Sequence, residues 1–177
     1  MNYIYLKDDD ERRNLLAWWR SLDEKHGDRA RLRRAETPDD VLLSQPFFRF
    51  LQRMPEEWAT RYRLQSSALV AATLAHVKKS REDKSFAAQM ASRKEGTDKP
   101  AVSELRFGQL QKSRNPEEFF RCLRRVVHLL NATVNVLSLS DGILHWMKEY
   151  EYGVDRTPVK RLAVSWAVDY YKNLPKS

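Results

Sequence analysis

Asn115-Pro116-Glu117-Glu118-Phe119-Phe120-Arg121-Cys122-Leu123-Arg124-Arg125-Val126-Val127-His128-Leu129-Leu130 reads as a helix from cap to end. Asn115 is a good N-cap, Pro116 suits the first helical position, and Glu117 and Glu118 set negative charge against the positive end of the helix dipole. Phe119, Phe120, Leu123, Val126, Val127 and Leu130 recur at three- and four-residue intervals, so they form one apolar stripe. Arg121 and Arg125 lie four apart and share another face, with Arg124 beside them. One segment therefore divides two tasks between its faces: packing a core, and presenting guanidinium groups to an anion.

The same periodicity extends outward in both directions. Residues 102–112 carry Leu105, Phe107 and Leu110 at helical spacing. Thr157-Pro158 predicts the start of a last helix with Val159, Leu162, Ala163, Trp166, Ala167 and Tyr170. Before it, Val134 to Leu137 reads as a short extended or irregular link. Ser140 or Asp141 then begins a helix through Leu144 and Met147 that Gly153 ends. Towards the N-terminus, residues 10–26 form a helix with Leu15, Trp18, Trp19 and Leu22 inward, followed by short helices at 29–35, after Thr37-Pro38, and at 47–54. Pro55 opens a long helix over residues 56–79, on which Trp58, Tyr62, Leu69, Ala72 and His76 follow the repeat.

Between residues 80 and 101 the chain turns polar and mixed in charge, with a short helix from Phe86 to Ala91 that docks on the core. The predicted fold class is all-α: two small helical bundles, residues 1–80 and 103–177, joined by a polar connector at 81–102.

With 32 Lys+Arg against 24 Asp+Glu, the 177-residue chain has a formal net charge of +8, which favours a polyanionic partner such as nucleic acid or an acidic membrane surface. No apolar run reaches the roughly 18 residues of a membrane span. The first ten residues lack the basic start of a secretory signal and end in three aspartates, so a cytoplasmic protein without a membrane partner is expected. The single cysteine, Cys122, excludes an internal disulfide and reads as a packed thiol rather than a nucleophile. No phosphate loop, dinucleotide glycine pattern or zinc-protease motif is present, and no histidine pair has metal-ligand spacing. Neither an enzyme nor a cofactor is expected.

Basic clusters carry the remaining signal. The first is Arg29, Arg31, Arg33 and Arg34, which either present guanidinium groups or pair with Asp23, Glu24, Asp28 and Glu36. The second is Arg106, Lys112 and Arg114 followed by Arg121, Arg124 and Arg125. It can track a phosphate backbone without reading bases, or form a solvated face balanced by Glu117 and Glu118. A third is Arg156, Lys160 and Arg161 at the predicted start of the last helix. The tryptophans fall mostly on apolar stripes, as core residues do.

Taken in order, these segments resemble the CasB-type small subunit of the type I-E CRISPR effector complex, Cascade. The resemblance rests on Leu15, Leu16, Trp18 and Trp19, on Arg31-Leu32-Arg33-Arg34-Ala35, and on residues 104–114. It continues through Leu123-Arg124-Arg125 with His128-Leu129-Leu130, then Trp146, and closes on Lys160-Arg161 with Trp166-Ala167 and Asp169-Tyr170-Tyr171. Leu105 stands where the family usually has arginine. The resemblance implies a non-catalytic helical subunit that pairs with a second copy of itself beside other Cascade subunits. Such subunits bind nucleic acid without sequence preference, stabilising the crRNA–target DNA heteroduplex and the displaced strand. It places nucleic-acid contact on Arg33, Arg34, Arg106, Lys112, Arg114, Arg124, Arg125, Lys160 and Arg161. The competing expectation is a helical structural adaptor whose basic faces contact partner proteins.

Overall fold

Caps and one-sided stripes set the helices where the sequence places most of them. The structure, a computed structural model, describes residues 1–176. Helices α1 (Asp9–Ser21), α2 (His26–Arg33) and α3 (Gln45–Arg53) form the first layer, with a 3-10 turn at Pro38–Val41. Helices α4 (Leu64–Leu74), α5 (Phe86–Ala91), α6 (Glu104–Gln111), α7 (Pro116–Leu129), α8 (Val136–Tyr152) and α9 (Leu162–Lys172) complete the all-α architecture. The only strands among the described residues are β1 (Lys79–Ser80) and β2 (Thr133–Val134), which pair in parallel. Helix α7 begins as its sequence dictates: Asn115 Oδ1 accepts the Glu118 N–H at 2.9 Å, and the Glu118 carboxylate accepts the Arg114 N–H at 2.9 Å.

Three helix extents need correction, and so do several apolar-stripe assignments. The predicted helix over 56–79 is divided. A 3-10 turn at Glu56–Ala59 precedes an extended Thr60, and α4 starts only at Leu64 and ends at Leu74. The break lets Trp58 turn inward, where its indole N–H donates to Glu11 at 2.5 Å while Ser67 Oγ donates to the Trp58 carbonyl at 2.7 Å. Helix α8 starts four residues before Ser140 because Asn135 caps it, accepting the Ser138 N–H at 3.0 Å. Helix α9 starts at Leu162, after a 3-10 turn at Pro158–Lys160, because Arg161 is extended and the Leu162 N–H is taken by Glu149 at 2.9 Å. Tyr62, Leu105 and Val159, all assigned to apolar stripes above, are exposed, as is Phe48 on α3.

Helix α4 is the central rod. Every residue from Ser66 to Leu74 is buried, as its small and aliphatic run predicts, and it packs on α8, α7, α3 and α2. The core runs without a break from Leu15, Trp18 and Phe50 on one side to Phe119, Trp166 and Tyr170 on the other. Within the polar connector, α5 docks as expected: all six residues are buried and its principal partner is α9. The connector leaves directly from β1, and its first residue extends the strand pair's bonding, with the Arg81 N–H donating to the Val134 carbonyl at 3.1 Å.

Candidate nucleic-acid interface

Packing of α6 against α7 decides which cations meet. Phe107 and Leu110 are buried, and the Phe107 ring lies flat on Tyr170 with centroids 4.1 Å apart. That anchor turns Leu105 and Arg106 outward. On α7 the buried stripe of Phe119, Phe120, Leu123, Val126 and Val127 leaves Arg121, Arg125 and His128 exposed. Arg106, Arg121, Arg124, Arg125, His128 and Leu129 line one open groove, and no carboxylate lines it. In a cleft of a single sign with low-dielectric walls, the field is focused on an entering anion.

Arg124 is partly buried and held in place. Its guanidinium lies 5.0 Å from the Phe120 ring centroid and donates through Nη1 to the Ala35 carbonyl at 3.0 Å. This contact joins α7 to the end of α2, where Arg33 and Arg34 are exposed. His76 reports the same convergence. Burial lowers its pKa to about 4, with the positive charges of Arg124 and Arg33 adding to the effect. A neutral imidazole therefore sits under two guanidinium groups from different helices.

The other expected contacts are placed differently. Lys112 and Arg114 are exposed in the turn between α6 and α7, outside the groove lining. Lys160 lines a separate hollow with Tyr5, His145, Lys148 and Val159. Arg161 donates through Nε to the Asp155 carbonyl at 2.8 Å, so its guanidinium braces the loop before α9. Arg29, in the first cluster, is structural: it is buried and donates to the Val77 carbonyl and to Asp23, both at 2.8 Å. Burial lowers its pKa, against the opposing pull of Asp23.

Among the described residues, ion pairs engage Arg12, Arg13, Arg29, Arg49, Arg63, Arg81 and Arg93, and none of the nine expected contact residues. Glu117 does not balance the groove, and Glu118 is occupied with the helix cap. Two ionisable groove residues, Arg121 and His128, are absent from the expected contact set. Arg121 is visible in the sequence as the four-residue partner of Arg125, and His128 as that of Arg124. Among the described residues no cluster of three or more His, Cys, Asp or Glu is placed to hold a metal, and no helix is long and apolar enough to cross a membrane.

The family model for the CRISPR-associated protein Cse2 matches residues 28–171, which covers the groove, α3 to α8 and all of α9 but its last residue. The chain belongs to the Cse2 family. It is thus a CasB-type small subunit of type I-E Cascade, as the ordered motifs imply. The matched span includes Arg31 to Ala35 and the groove arginines, while Leu15, Leu16, Trp18 and Trp19 on α1 fall before it. No curated protein and no solved structure matches the chain.

Proposed function

We propose that this Cse2 family member is a non-catalytic Cascade subunit whose α6–α7 groove holds the sugar–phosphate backbone of nucleic acid without reading its sequence. In the assembly this groove steadies the crRNA–target DNA heteroduplex or the displaced strand, where base pairing alone reads sequence. The observation that supports the reading is the convergence of Arg106, Arg121, Arg124 and Arg125 on a groove without a carboxylate. Arginine suits this task because its planar fork can bind two phosphate oxygens at once. Arg33 and Arg34 extend the basic surface from α2, and Lys112 and Arg114 from the α6–α7 turn. The protein is proposed to work in the cytoplasm, with no cofactor.

A partner-protein role is favoured for the third basic cluster. Residues 151–160 are all exposed and include Tyr152, Val154 and Val159, which are 69%, 57% and 74% exposed. Large apolar side chains left exposed along one surface segment fit contact with a protein partner. We assign Lys160 and this loop to contact with another Cascade subunit or with a second copy of the chain.

The test of the groove is a salt titration of binding to several unrelated single-stranded RNA and DNA oligonucleotides. Affinity is expected to be alike across sequences and to fall steeply with salt. The double variant Arg121→Glu/Arg125→Glu is expected to reduce the slope of log affinity against log salt by about 1.4, at roughly 0.7 per lost phosphate contact on a single strand. A correctly folded variant that binds as the parent does would refute the groove.

A further inference from the structure

Leu129 and Arg106 belong to two hollows at once. Besides the α6–α7 groove, they line a second one with Lys94, Thr97, Lys99 and Ser103. That second hollow is built by a tight hairpin. Arg93 and Pro100 form an antiparallel bridge, the Lys94 N–H donates to the Lys99 carbonyl at 2.8 Å, and Gly96 supplies the turn at φ 75°. The hairpin is tied to the core below it: the Ala101 N–H donates to the Ser92 carbonyl at 2.8 Å and the Val102 N–H to the Met90 carbonyl at 2.9 Å.

This register sets Lys94 directly opposite Lys99. Like charges facing each other across an antiparallel pair destabilise it. The aspartate nearest in sequence does not relieve them, because Asp98 is paired with Arg93 at 3.0 Å. Glu104 is the single carboxylate lining the hollow, and among the described residues it makes no ion pair with either lysine. Both lysines are exposed, so core packing gives no reason for a cation at either position. An anion lying between them relieves the repulsion, and the neighbouring groove supplies a polyanion's path to that point.

Building on the groove reading above, we propose that the 93–100 hairpin is a second phosphate-contact subsite, continuous with the α6–α7 groove through Arg106 and Leu129. A single strand that leaves the groove past Leu129 runs on over Lys94 and Lys99. The subsite takes backbone phosphate, not bases, since two ammonium point charges hold an anion without the fork that reads a base edge.

The test compares the parent with Lys94→Gln/Lys99→Gln on oligothymidylates of about 4 and about 16 nucleotides, which bracket common single-strand site sizes. Lys7→Gln/Lys172→Gln, at exposed positions before α1 and at the end of α9, serves as the charge-matched control. The hairpin variant is expected to bind the longer strand several-fold more weakly, with a salt slope reduced by about 1.4. It is expected to bind the shorter strand as the parent does, and the control to change neither. Unchanged binding of the longer strand, while Arg121→Glu/Arg125→Glu weakens both lengths, would overturn the subsite and leave the groove standing. Equal weakening of both lengths, or an equal effect from the control, would reduce the lysines to bulk charge and also overturn it. If the groove variant changes neither length, the groove itself fails and the subsite with it.

Discussion

The Trp166 indole lies over Gly142 so closely that a Cβ at position 142 would stand 2.6 Å from its Cζ2. The close approach lets α9 settle on α8, with Trp166 also packed edge-on to Phe86 at 5.6 Å. Gly142→Ala forces the ring or the helix to move in a filled core, and the expected loss is about 1–3 kcal/mol. Urea unfolding of the variant checks this. Ala at position 108, where a Cβ meets nothing within 4 Å, is the matched control and is expected to be neutral or slightly stabilising.

Asp141 fastens the N-terminal segment. Its carboxylate accepts the backbone N–H groups of Ile4, Tyr5 and Leu6 at 3.0, 2.7 and 2.9 Å. Asp141→Ala leaves those donors without their acceptor, including one beside the fully buried Leu6. A loss of about 1–3 kcal/mol is expected. Hydrogen exchange is the sensitive readout: the amides of residues 4–6 are expected to lose protection well before those of α4.

His76 makes stability depend on pH in a defined window. Its folded pKa of about 4 lies below the ordinary 6.5 because burial opposes the charge, and its Nε2 has no hydrogen-bond partner. Between those two values the unfolded chain binds a proton that the folded chain does not. The stabilisation is therefore complete above 6.5 and is lost as the pH falls through 6.5 towards 4. His76→Leu removes the titration, so its urea midpoint is expected to vary less than the parent's across that window. Equal pH dependence in the two proteins would rule out this histidine as the cause.

Groove and turn can be separated by single charge reversals. Arg125 lines the groove, whereas Arg114 stands in the turn outside it, and both are exposed. Arg125→Glu is expected to weaken single-strand binding and flatten its salt dependence more than Arg114→Glu, read by fluorescence anisotropy at two ionic strengths. The reverse order would place the contact surface at the turn.

The helices with a cap and a one-sided stripe are legible in the sequence. Helix α7 is the clearest, since Asn115, Pro116 and the spacing from Phe119 to Leu130 agree with one another. Residues 56–79 are less so, because a single apolar Trp58 one turn after Pro55 suits the inner side of a 3-10 turn as well as that of an α-helix. What separates them is its bond to Glu11, far away in sequence. The start of α8 is hidden for a similar reason: Val134-Asn135-Val136-Leu137 looks extended until Asn135 is known to cap. At the groove, the face shared by Arg121 and Arg125 follows from spacing alone. Its union with Arg106 does not, because that depends on Phe107 anchoring α6 to Tyr170. The opposition of Lys94 and Lys99 exists only once the chain has turned at Gly96.

The parallel pairing of Lys79 with Thr133 and Ser80 with Val134 also has a meaning in time. Between its two strands the chain makes α5, the hairpin, α6 and α7. Closing the pairing must offset the loop entropy of this long crossover. It is expected to form late, with few of its contacts present at the folding barrier. Substitutions that weaken it are expected to quicken unfolding and leave the folding rate nearly unchanged. Two strands of two residues each are thus expected to bear on the lifetime of the native state more than on the speed of reaching it.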